Sequence, residues 1–192
     1  MLCQFQAVGH NLFTQGLVSY QSGNLSVRFG EQLVITHRGS TLGSMSEADL
    51  VETGIAKNDR ATPLASRELA VHRCIYKKTS ALAIVHAHPP YAVALSFVEQ
   101  EIVPFDVEGQ TLLGKVPILG REVAEKAVDL AEEIAEALIQ HKVVLVQSHG
   151  SFAASQLLEE AYYYTSVLEQ SCRLFYLLKA LKVKPDASCD VG

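Results

Sequence analysis

Leu25-Ser26-Val27-Arg28-Phe29-Gly30-Glu31-Gln32-Leu33-Val34-Ile35-Thr36 is the stretch whose reading decides the fold class. Its first five residues alternate apolar with polar, the period of a half-buried strand, and its last five form a second strand rich in branched residues. Gly30-Glu31 leaves room only for a tight turn, so the two runs pair as an antiparallel hairpin. A sheet that begins with a hairpin is not the start of a clean alternating βαβ series. Upstream, residues 4–18 carry scattered apolar positions and read as a helix, with Gly23-Asn24 turning into the hairpin.

Downstream, strands alternate with helices. Ser66 can cap a helix whose Leu69, His72, Ile75 and Tyr76 share a face, and Leu82 to His86 is a short apolar strand. Residues 121–139 place Val123, Ala127, Leu130, Ile134 and Leu138 at helical spacing; Lys142 to Gln147 reads as another strand. Residues 156–181 make a last long helix with Leu157, Ala161, Leu168, Phe175 and Leu178 on its inner stripe. The expectation is one α/β domain over residues 1–192, a mixed sheet covered by helices, with residues 183–192 a flexible tail.

Hydrophobic residues make up 48% and charged residues 19% of the 192 positions, which suits a folded core. A formal charge of −5 and scattered Lys and Arg offer no basic face for nucleic acid. Cys3, Cys74, Cys172 and Cys189 are widely spaced, with no Cys-x-x-Cys unit, so neither a disulfide framework nor a thiolate zinc knot is expected and a reducing cytoplasm fits. No apolar run approaches the roughly 20 residues that span a bilayer, and no leader-like segment opens the chain, so membrane insertion and export are not expected.

Chemistry concentrates at strand ends. His86-Ala87-His88 closes an apolar strand and is stopped by Pro89-Pro90. Residues i and i+2 of a strand share a face, so both imidazoles can reach one ion. His149 ends the buried strand Val143-Val144-Leu145-Val146 and precedes Gly150, which permits close backbone approach. Three neutral nitrogen ligands leave zinc an open position, as catalysis requires. Glu68, in the first turn of the helix after Ser66, suits the positive end of the helix dipole whatever else it does. His72 lies one turn later and reads as a structural partner for it. His10, His37 and His141 read as solvated or capping residues, and Tyr162, Tyr163 and Tyr164 must point to different faces of the last helix.

Between about residues 8 and 181, Gly23-Asn24-Leu25-Ser26-Val27-Arg28, Ile35-Thr36-x-x-Gly39, Ser66-x-Glu68, His86-x-His88 and Ser148-His149-Gly150 occur together. In this the chain resembles the class II aldolase/adducin family, and within it the L-fuculose-1-phosphate aldolases. The resemblance implies a three-layer αβα fold with a central, mainly antiparallel sheet. It also implies a cyclic homotetramer with zinc near subunit interfaces, held by His86, His88 and His149. Glu68 would bind the empty metal site and move away to act as base, and a glutamate there favours aldol cleavage over epimerisation. The phosphate-binding segments correspond to Gly23, Asn24, Arg38, Gly39, Ser66 and Arg67.

Two departures from the family pattern bear on substrate. Arg38 and Arg67 stand where fuculose-phosphate aldolases carry small hydroxyl residues, and a guanidinium can grip phosphate, read a carboxylate or shorten the pocket. The tyrosines associated with protonating the leaving aldehyde are absent, which leaves Asp106, Glu108 or a residue of a neighbouring subunit for that role. The resulting expectation is a zinc-dependent aldehyde-lyase that cleaves a short ketose 1-phosphate to dihydroxyacetone phosphate and an aldehyde. The alternatives are an epimerase, dehydratase or decarboxylase of a related sugar phosphate, and last a non-catalytic adducin-like module.

Overall fold

The computed structural model describes residues 1–120 and 130–182. In chain order the elements are α1 (Leu2–Thr14), β1 (Asn24–Phe29), β2 (Gln32–Thr36), β3 (Leu50–Gly54), α2 (Leu69–Lys78), β4 (Ala83–Ala87) and α3 (Pro90–Ser96). Then come β5 (Glu101–Ile102), α4 (Val107–Leu112), β6 (Val116–Leu119), α5 (Leu130–Ala137), β7 (Val143–Val146), β8 (Gly150–Ser155) and α6 (Leu158–Ala180).

The hairpin forms as read, with Phe29 opposite Gln32 and Ser26 opposite Ile35. It is part of one eight-stranded sheet in the order β3-β2-β1-β4-β8-β7-β6-β5. All pairings are antiparallel except β6 with β7. Strand alternation sorts the core into two layers. Val34, Ala83, Val85, Val143 and Leu145 face α1, α3 and α6. Leu33, Ile35, Ile84, Val144 and Phe152 face α2 and α5. Both faces of the central strands are therefore apolar, which produces the helix–sheet–helix sandwich. Burial of each such Leu, Ile or Val stabilises by about 1.5–3 kcal/mol relative to exposure.

Several boundaries differ from the sequence reading. The first helix was expected over residues 4–18 but ends at Thr14. Gly16, at φ 70°, forms a C-terminal turn in which Leu17 N donates to Leu12 O at 2.9 Å and Gly16 N to Phe13 O at 3.1 Å. The strand expected from Leu82 begins at Ala83 and extends through Ala87. The inner stripe of α6 starts at Leu158, fully enclosed, while Leu157 is exposed. Of the helix expected over residues 121–139, Leu130–Ala137 is present and residues 121–129 lie outside the described residues, as does the tail at 183–192. Strands β3, β5, β6 and β8 have no counterpart in the sequence reading.

Candidate metal centre and substrate cavity

His86 lies in β4 at the middle of the sheet, opposite Asn24 of β1 and Phe152 of β8. It is 1% exposed. Its Nδ1 is 2.9 Å from the Ser151 carbonyl oxygen. A carbonyl can only accept, so Nδ1 carries the hydrogen and Nε2 presents a bare lone pair. The Phe152 ring stacks on the imidazole at 4.2 Å. His88 follows the end of β4, where its backbone N–H donates to Leu17 O at 2.8 Å, the carbonyl exposed by the early end of α1. Its Nε2 stands 2.9 Å from that of His86.

His149 was expected to end β7. It sits instead in the turn between β7 and β8, its ring 5.0 Å from those of His86 and His88. Gly150 is needed immediately after it, because a Cβ there would lie 2.3 Å from the Ala87 carbonyl oxygen. One nitrogen from each of the three imidazoles lies within 4.8 Å of the others.

Glu68 occupies the N-cap position of α2, and Ser66 does not cap the helix as expected: its hydroxyl accepts from Glu68 N at 3.3 Å, and α2 starts at Leu69. The Glu68 carboxylate points into the histidine cluster. Oε1 is 2.8 Å from His149 Nε2, Oε2 is 3.1 Å from His86 Nε2, and Asn24 donates its amide at 3.3 Å. Burial opposes ionisation of Glu68, but the bond to His149, the charge at His86 and the Asn24 amide outweigh it and hold the carboxyl at about 2. His149 is raised by that same hydrogen bond. Burial lowers His86 to about 3 and lowers His88 as well, so both are neutral donors near pH 7.

The His72 side chain does not hydrogen-bond the Glu68 carboxylate; only its backbone N–H donates to Glu68 O, at 3.2 Å. His72 is fully enclosed, with Nδ1 2.6 Å from Ser26 Oγ, which is 2.7 Å from Tyr76 OH, so its structural assignment stands with a different partner.

Three imidazoles whose nitrogens converge, with one carboxylate beside them, form a donor set that suits a divalent ion with an open coordination position. The cluster opens onto a cavity of about 450 Å³. Gly23, Asn24, Arg38, Gly39, Ser66 and Arg67 all line this cavity, together with the three histidines and Glu68. Gly23 has φ 76°, and a Cβ there would come within 2.8 Å of His86 O, so only glycine lets the loop close over the His86 backbone. Arg38 and Arg67 are exposed, and among the described residues neither guanidinium has a hydrogen-bond or ion-pair partner.

The sequence reading missed Gln21, Ser22, His37 and Ser40, which complete the wall. His37, expected to be a solvated or capping residue, is half-buried beside Arg38; its adjacency to the Arg38-Gly39 turn was the available signal. Asp106 and Glu108 do not line the cavity. Asp106 caps α4 by accepting from Gly109 N at 2.7 Å, and Glu108 accepts from Tyr163 OH. The three tyrosines diverge as expected: Tyr162 is half-buried, Tyr163 is exposed and Tyr164 lies under Lys142.

The family model for the class II aldolase and adducin N-terminal domain matches residues 3–176. The chain is 30% identical over 176 residues to L-fuculose phosphate aldolase of Methanocaldococcus jannaschii, covering 91% of this chain and 94% of that protein. It is 29% identical to 3-oxo-tetronate 4-phosphate decarboxylase of Haemophilus influenzae, over 92% of this chain and 87% of that one. Among solved structures, L-fuculose-1-phosphate aldolase from Thermus thermophilus superposes with a TM-score of 0.85 at 37% identity, covering 94% of each chain. With the sandwich, the histidine cluster and a match over nearly its whole length, the chain belongs to the class II aldolase and adducin N-terminal domain family.

Proposed function

We propose that this chain is a single catalytic domain, a zinc-dependent aldolase that cleaves a short ketose 1-phosphate resembling L-fuculose 1-phosphate into dihydroxyacetone phosphate and an aldehyde. The observation that carries this reading is the pairing, in one cavity, of the His86, His88, His149 and Glu68 cluster with two unpartnered guanidinium groups. His86, His88 and His149 would hold the ion. When bound, zinc supplies the Lewis acidity that offsets the negative charge developing when a bond beside a carbonyl breaks.

The protein's own residues do the rest. Arg38 and Arg67, with the polar loops at Gly23-Asn24 and Gly39 and the Ser66 hydroxyl, bind the phosphate and set how far the sugar reaches toward the histidines. Glu68 takes a proton from the substrate and returns one to carbon. Its carboxylate now rests on two imidazole nitrogens that a metal would claim, so loading the site must displace it toward the cavity. Asp106 and Glu108 are committed elsewhere in the subunit, so the hydroxyl that becomes the aldehyde loses its proton to Glu68, to water or to a residue of a neighbouring subunit, the last in keeping with a homotetramer. The wide spacing of the cysteines supports a reducing, cytoplasmic location. Among the described residues no helix is long and apolar enough to cross a membrane.

Decarboxylation is the second reading, favoured by Arg38 and Arg67, since a guanidinium binds carboxylate as readily as phosphate. A screen of phosphorylated ketoses with coupled detection of dihydroxyacetone phosphate, run beside an assay for carbon dioxide release from phosphorylated 3-oxo acids, separates the two. Turnover only in the second assay would overturn the aldolase reading.

A further inference from the structure

The three metal-directed histidines are supported unequally. His86 is inside a central strand, and His88 is tied through its amide to Leu17. His149 belongs to the turn Gln147-Ser148-His149, and its neighbour Ser148 has φ 59°, in the left-handed region that residues with a Cβ seldom occupy. Such a conformation persists only where its surroundings hold it.

The restraint comes from the opposite side of the sheet's end. Ser148 N donates to Ser96 Oγ at 3.0 Å. Ser96, fully enclosed, donates its own hydrogen to Val93 O at 2.6 Å, which turns a lone pair toward the Ser148 amide. Ser96 is the last residue of α3, the helix that starts two residues after His88. The segment that leaves one pair of ligands thus returns to grip the turn bearing the third.

We propose that Ser96 is a positioning residue for His149, its hydroxyl holding the Ser148 amide so that the turn aims the imidazole at His86 and His88. The inference rests on the reading of these histidines as metal ligands. Without the hydroxyl, the Ser148 N–H loses its acceptor, and the turn keeps only the flanking bonds from Gln147 N to Leu119 O and His149 N to Val146 O, neither of which engages Ser148 itself. The backbone then relaxes toward the common regions and carries the His149 Cα–Cβ direction with it. A glycine at position 148 adopts the left-handed conformation freely and removes the need for the restraint.

The test is the zinc dissociation constant, measured by competition with a chromophoric chelator, for wild type, Ser96→Ala, Ser148→Gly and the double variant, beside melting curves of the metal-free proteins. Removing the outer partner of a metal ligand typically weakens binding about 10–100-fold, and a loss of about tenfold is expected for Ser96→Ala. Ser148→Gly should bind like wild type and, added to Ser96→Ala, should restore most of the loss. The Co2+ absorption spectrum gives a second reading of ligand geometry, expected to change in Ser96→Ala and recover in the double variant. If Ser96→Ala binds zinc as wild type does, or if Ser148→Gly restores nothing, Ser96 has no such role. A Ser96→Ala defect tracking only a fall in metal-free melting temperature would also overturn it. A wild type that binds no zinc would overturn the metal reading itself, which the first measurement reports separately.

Discussion

His86 and Arg67 line the same cavity, yet His86 is almost completely enclosed and bonded through its far nitrogen, whereas Arg67 is exposed and bonded to nothing among the described residues. The histidine half of the site is held by Ser151, Phe152, Leu17 and Asn24. The arginine half is two loops and the residues before a helix, with Arg38 and Arg67 exposed to the cavity. The difference teaches where preorganisation is needed: converging neutral nitrogens lose affinity if they drift, while a guanidinium can adjust to an oxygen that arrives with its own charge.

The sharpest way to break the comparison is to remove one buried ligand. His88→Ala should reduce zinc from about one per subunit to near none and abolish turnover, since two imidazoles cannot make the three-ligand site. Elemental analysis checks this, and full metal content in the variant would remove His88 from the site.

Glu68→Gln should lower kcat by at least about 10²–10⁴-fold while zinc content is kept, because the amide preserves shape but cannot accept the proton. A glutamate serving only the helix dipole would cost roughly 0.3–1 kcal/mol of stability and leave kcat nearly intact. Measured kcat within threefold of wild type would therefore assign Glu68 to structure.

On the exposed half, Arg67→Ser and Arg38→Ser should each raise KM about tenfold with little change in kcat, as expected for uniform binding through charge-assisted hydrogen bonds. Unchanged KM in both would move the phosphate elsewhere. The smallest effect is expected behind the histidine half: Tyr76→Phe removes the hydroxyl bonded to Ser26 and should cost about 1 kcal/mol in denaturant unfolding. Its zinc affinity should stay as in wild type. A tenfold affinity loss would mean that the Ser26, His72 and Tyr76 chain also positions the ligands.

How much could be read beforehand follows local physics. The hairpin was legible because Gly30-Glu31 separates two runs of strand period, and the three histidines because each stands beside a residue that ends or pinches a strand. Strand β8 was not, since Gly150-Ser151-Phe152-Ala153-Ala154-Ser155 has little branched or alternating character. It is a strand because β4 and β7 flank it on both sides. Ser66 looked like a cap, but its hydroxyl serves Glu68 two residues on, a choice that moves the helix start to Leu69 and aims the carboxylate.

The sequence alone therefore determined the hairpin start, the helical stripes, the three imidazoles and the carboxylate, since periodicity and strand-ending residues are properties of neighbours along the chain. Tertiary structure alone decided that β8 lies between β4 and β7, that His37 and Gln21 join the cavity and that Asp106 and Glu108 do not. It also decided that Ser96 reaches the turn before His149. These contacts join residues tens of positions apart, and which of them form depends on how both faces of the central sheet are packed and on where each buried polar group finds its partner.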